Sequence, residues 1–90
     1  RLTAFAAVVL GEERYVALGA NRGRNLHLYR TCGGSDKVPV KMFEKKLGGE
    51  IHKIEFDADK RLLKAHSTEN FSVTYDFDGK RIALDVWKYE

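Results

Sequence analysis

Apolar and polar positions alternate with a period of two along much of this chain. Phe71, Val73, Tyr75 and Phe77 interleave with Ser72, Thr74 and Asp76, and beyond Asp78-Gly79 the residues Ile82, Leu84 and Val86 alternate again. That period marks a strand with one face buried, and Asp-Gly supplies the positive φ angles of a tight turn, so the stretch predicts a β-hairpin. The same reading marks eight strands: 2–10, 15–20, 26–31, 38–45, 51–57, 62–66, 71–77 and 81–89. Between them stand turn-forming clusters such as "NRGRN", "CGGSD", "DADK", "STEN" and "DG".

Residues 50–66 also carry a rival pattern. Ile51, Ile54, Ala58, Leu62 and Ala65 fall three or four apart, the spacing of one helix face, with Asp57 and Arg61 as a favourable i, i+4 pair. Against the helix, Phe56 and Leu63 would point away from that face, and "DADK" reads as a turn.

The second half echoes the first. "YVALGANRGRNLHLYR" lines up with "LLKAHSTENFSVTYD", and "VPVKMFEKK" with "IALDVWKYE", which sets Phe43 opposite Trp87. The expected fold is all-β: one domain over 1–90, made of two antiparallel four-stranded blade-like units at 1–46 and 47–90. A small eight-stranded barrel, or an α+β domain with a helix near 50–66, are the alternatives.

Within the second unit, "GEIHKIEFDADKRLLKAHSTENFSVTYDFDGKRI" resembles a WD40-type β-propeller repeat. The shared cadence is an apolar strand, an Asp-containing turn, an inner strand, a small polar turn and an alternating strand closed by an aromatic-Asp pair and Gly-Lys. Here Tyr75-Asp76 and Gly79-Lys80 fill the last slots, while "GGE" stands where that family often has Gly-His. The cadence is also similar to the YD repeats of shell-forming proteins. The WD40 resemblance implies a scaffold that binds other proteins, and since propellers use four to eight blades, it implies association of copies or membership of something larger. "YVALGANRGRN" is similar to the opening of pterin pyrophosphokinases, but the helical segment those enzymes need after Asn25 is missing.

Composition changes the picture little. Ninety residues with 43% hydrophobic and 11% aromatic content suit one small globular domain rather than a disordered chain. Net charge is +3, split between a basic first half (nine cations and four acids in 1–46) and an acidic second half (seven and nine). The basic half suits nucleic acid, another anion, or the acidic half of a second copy. No run reaches the roughly 20 apolar residues of a membrane span, so no membrane partner is expected. "LTAFAAVVLG" has the look of a signal-peptide core, but it leads straight into "YVALG"; it reads as a strand, with an intracellular site the expectation.

Chemistry-bearing residues are sparse. Cys32 is the lone cysteine, in a turn-like setting, so no internal disulfide framework exists. His27, His52 and His66 lack metal-ligand spacing, and neither metal nor cofactor is expected. Asp57, Asp59 and Asp78 stand where turns favour aspartate, and Asp76 and Asp85 fall on the polar face of the last hairpin. No nucleophile, base and oxyanion donor converge, so an enzyme is not expected. The suggestive loop is Ala20–Asn25, where Arg22 and Arg24 flank Gly23; with Arg30 they form the anion-binding candidates. Ala83, Trp87 and Tyr89 give the last strand a second apolar face, and Phe43 stands beside Met42. Phe43, Trp87 and Tyr89 are therefore the expected contact residues of a non-catalytic protein-interaction or self-assembly module. The alternative is a small β-rich domain holding an anionic ligand or nucleic acid through its basic half.

Overall fold

The computed structural model describes residues 2–32 and 38–87. They form eight strands: β1 (Ala4–Leu10), β2 (Glu13–Ala20), β3 (Asn25–Cys32), β4 (Val40–Lys46), β5 (Ile51–Asp57), β6 (Leu62–Ser67), β7 (Phe71–Asp76) and β8 (Arg81–Val86). The fold is all-β, with no helix among the described residues. Two antiparallel sheets run in plain meander order, β1-β2-β3-β4 and β5-β6-β7-β8. They do not close into a barrel, so that alternative falls.

The helical alternative for 50–66 falls as well. Phe56 and Leu63, which a helix would have left off its apolar face, pair directly across β5 and β6, and Leu63 is fully buried. The turn between these strands is held by Asp57, whose Oδ1 accepts the Lys60 amide at 3.2 Å, and by Arg61 in the left-handed region at φ 54°. A four-residue turn with its own side-chain acceptor satisfies backbone groups that a helix would otherwise have paired.

The core lies between the sheets. Sheet 1 contributes Tyr15, Ala17, Leu26, Leu28 and Phe43, and sheet 2 contributes Ile54, Leu63, Ala65, Val73 and Tyr75. Small residues let the backbones come close. A methyl group on Gly19 would lie 3.0 Å from Thr3 Oγ1 and 3.4 Å from Ile51 Cβ. The sheets are also bonded directly at this point: the Ile51 amide donates to the Gly23 carbonyl at 2.8 Å, with Gly23 at φ +77°.

Phe77 departs from its expected place in the alternating strand. β7 ends at Asp76, whose Oδ1 accepts the amides of Asp78 and Lys80, each at 2.9 Å. That places Asp76 in the turn machinery. Phe77, freed from the strand, turns into the core beside Tyr15 (ring centroids 4.5 Å) and Phe56 (5.8 Å). The last strand likewise ends at Val86, short of the expected 89.

The registers of the two sheets correspond through their central strands, with one extra irregularity in sheet 2 at His52 that β1 lacks. Val16↔Tyr29, Ala17↔Leu28 and Leu18↔His27 in sheet 1 match Leu63↔Tyr75, Lys64↔Thr74 and Ala65↔Val73 in sheet 2. Each sheet also carries a bulge at the corresponding place. Leu28 and Tyr29 face Phe43 and Lys41, skipping Met42; Thr74 and Tyr75 face Ala83 and Arg81, skipping Ile82. Bulges break the ladder at one defined residue, so they anchor the correspondence independently of side-chain type. They correct the expected alignment of the outermost strands: Phe43 corresponds to Ala83, and Leu47 to Trp87.

Candidate functional site

The paired registers decide which way each sheet faces. In sheet 2 the row Phe56, Leu63, Tyr75 and the row Ile54, Ala65, Val73 point into the core. Their counterparts in sheet 1 are Ala7, Val16, Tyr29 and Phe5, Leu18, His27. Because side chains alternate across a strand, and Tyr15, Ala17 and Leu28 are buried, these counterparts point to the opposite side, away from the core. The sheets are thus stacked in the same sense, the front of one on the back of the other. The face that is buried in sheet 2 is uncovered in sheet 1.

That uncovered face is apolar along most of β1 and β2, interrupted at one end by the exposed Arg14, which pairs with Val9. Phe5 and Val9 are 62% and 64% exposed, and Val16 and Leu18 are half-buried beside them. Val16 and Tyr29 join Thr31 and Pro39 around a shallow apolar depression. Along β3 and β4 the same face is polar and partly matched internally. Glu44 accepts from Asn25 Nδ2 (3.1 Å) and Lys41 Nζ (3.0 Å) and lies 3.8 Å from His27 Nε2. The hydrogen bond from Lys41 holds the Glu44 carboxyl below its ordinary range and raises Lys41 in turn. The face is therefore mostly apolar on one side and polar on the other, with the Lys41–Glu44 pair matched and, among the described residues, Lys46 and Arg14 left as cations.

The outer face of sheet 2 is different. Lys53, Glu55, Lys64, His66 and Thr74 occupy it, with Lys53 Nζ 2.9 Å and His66 Nε2 3.4 Å from Glu55 Oε1. The ammonium of Lys53 keeps the Glu55 carboxyl low. A face of this composition is stable in water.

Several expected contact residues lie elsewhere. Phe43 is 9% exposed, with its ring centroid 5.6 Å from Tyr75, so it belongs to the core and is not free to meet a partner. Trp87 is 37% exposed, and its amide donates to the Asn70 carbonyl at 3.0 Å. Tyr89 lies outside the described residues. The anion candidates do not converge. Arg22 and Arg24 are exposed on the β2–β3 turn, where Arg22 shares a depression with the carboxylate-bearing Glu50. Arg30, near the other end of β3, is 3.6 Å from Glu13. A cation already facing a carboxylate is a poor anion receptor.

Four residues whose association the alternation pattern did not reveal tie the sheets together at one end. Arg61 Nη2 donates to Tyr15 Oη at 2.8 Å, Tyr15 donates to Glu13 Oε2 at 3.1 Å, and the Arg61 guanidinium lies over the rings of Tyr15 (5.5 Å) and Phe77 (5.1 Å). This is a latch between β2 and the β5–β6 turn. Cys32 is exposed, 3.8 Å from Glu13 Oε2. Among the described residues no three His, Cys, Asp or Glu side chains cluster as metal ligands. No family model, no curated protein and no solved structure matches the chain.

Proposed function

We propose that this chain is a non-catalytic protein-interaction or assembly module that presents the outer face of sheet 1 to another β-sheet. The observation that carries the reading is the register correspondence: Phe5, Ala7, Val16, Leu18 and Tyr29 occupy the positions whose counterparts in sheet 2 are covered by a sheet. A sheet apolar on both sides requires cover on both sides. The resemblance to a propeller repeat supports the same reading, since propeller blades stack front to back in this sense.

The two outer faces differ in what they can accept. Laid on Phe5 and Val9, the outer face of sheet 2 would take the Lys53–Glu55 pair and the Lys64 ammonium out of water, and desolvating charges is costly. Two copies related by a two-fold axis fit better, provided that the exposed Arg14 and the Lys41, Glu44 and Lys46 side chains on this face stay at the rim of the contact. Sheet 1 meets sheet 1, both apolar strips are buried, and the charged faces end the stack in water.

Light scattering of the chain and of a Phe5→Asp/Val9→Asp variant tests the reading. Both residues are exposed, so the variant should keep its far-ultraviolet circular dichroism while a dimer seen in the parent is lost. A parent that stays monomeric at about 100 μM would remove self-association. The reading as a whole fails if the chain instead binds RNA or DNA in a salt-sensitive manner that is abolished by Arg22→Ala/Arg24→Ala and unaffected by the face variant.

A further inference from the structure

A second opening lies between the sheets where they part, on the other side of the molecule from β1 and β5. There the inner face of β8 has no cover among the described residues. Leu84 and Val86 pair with the core residues Val73 and Phe71 and so face inward, yet they are 47% and 65% exposed. Together with Tyr75 they floor a groove of about 350 Å³ whose walls include Lys46 and Arg81. The charge is one-sided: among the described residues no carboxylate lines the groove, and Lys45 projects over the Tyr75 ring at 5.8 Å. β8 is also the last strand of its sheet, so among the described residues its outer backbone edge has no strand partner.

We propose that this groove receives an extended acidic-apolar peptide segment, added to β8 as a further strand. The added strand would form main-chain hydrogen bonds with the β8 edge, the mode by which extended segments join exposed sheets. Side chains directly across from one another share a face, so the inward residues of the segment meet Val86, Leu84 and Arg81 in turn. The matching chemistry is two apolar side chains followed by a carboxylate at alternating positions. Lys45, over the ring of Tyr75, the residue that pairs with Arg81, strengthens the preference for the acid, because a carboxylate there meets cations from both sheets. This site is separate from the outer face of sheet 1 and stands or falls independently of it.

The probes are acetyl-Thr-Val-Thr-Val-Thr-Glu-Thr-amide and the reversed sequence, each compared with a version carrying Lys for Glu. Amide chemical shifts of the labelled protein report where each binds. The Glu peptides should give saturable shifts at Ile82, Leu84 and Val86, with about tenfold tighter binding than the Lys peptides at low salt. Arg81→Glu, at an exposed position, should leave the fold intact and reverse that preference. The proposal is overturned if the shifts fall outside β8 and the groove, if Glu and Lys peptides bind alike, if Arg81→Glu leaves the preference unchanged, or if the β8 edge instead pairs with a second copy of the chain and excludes the peptide.

Discussion

Phe77→Ala is the sharpest test of how the two sheets are joined. Were Phe77 the last residue of an exposed alternating strand, its removal would matter by only a few tenths of a kcal/mol. In the structure its ring is 5% exposed and lodged between Tyr15 of sheet 1 and Phe56 of sheet 2, under the Arg61 guanidinium. Truncating a buried phenylalanine costs about 3–5 kcal/mol, part of it lost transfer energy and part the cavity left behind. The ring pairs lie within that figure, and each is worth about 0.5–1.5 kcal/mol. Phe77→Leu, which keeps most of the volume and loses the ring pairs, should cost about 1–2 kcal/mol. Urea unfolding followed by Trp87 fluorescence and by circular dichroism at equal protein concentration measures both, and a total stability of about 5–15 kcal/mol leaves room for the larger loss. An Ala variant within about 1 kcal/mol of the parent would refute the core described between the sheets. So would a Leu variant as damaging as the Ala one, because it would mean that volume contributes nothing at this position.

Other consequences can be measured with the same equipment. Gly23→Ala places a Cβ at φ +77°, 2.8 Å from the Ile51 amide nitrogen, and should destabilise by about 1–3 kcal/mol in urea, whereas Gly48→Ala, which meets open space, should be nearly silent. A double-mutant cycle of Tyr15→Phe and Arg61→Met should return a coupling of about 0.5–1.5 kcal/mol, at the low end because the Arg61 side chain is 50% exposed; zero coupling would remove the latch. Burial raises the Tyr75 hydroxyl above its ordinary value of 10.0, so folding favours its neutral form. That contribution is intact below pH 10 and is lost as pH climbs through the folded-state value; melting temperatures measured across this range should fall less steeply in Tyr75→Phe than in the parent.

The strands were legible because alternation is a local property, and each of the eight formed near its expected place. Phe77 was misread for the same local reason: its parity continues the strand, while the Asp76 carboxylate captures two turn amides and releases the next residue from the ladder. Phe43 was set against Trp87 because equal spacing was assumed, whereas a bulge at Met42 and another at Ile82 determine the true register. Which side of a sheet is covered depends on the partner sheet, so no single strand revealed it. One signal was available: "AFAAVVL" and "RYVALGA" are apolar at both odd and even positions, the mark of strands needing cover on two faces. Arg61 left no such trace, since its partner Tyr15 is distant in sequence and the contact exists only after the sheets meet.

Two slabs laid the same way up have nothing in their geometry to forbid a third. What halts such a pile here is surface chemistry, the lysines and acid on the far side of the second slab. Neutralising Lys53, Glu55 and Lys64 with alanine would leave a particle whose top fits its own underside, and particles of that kind grow into open-ended filaments rather than closed pairs.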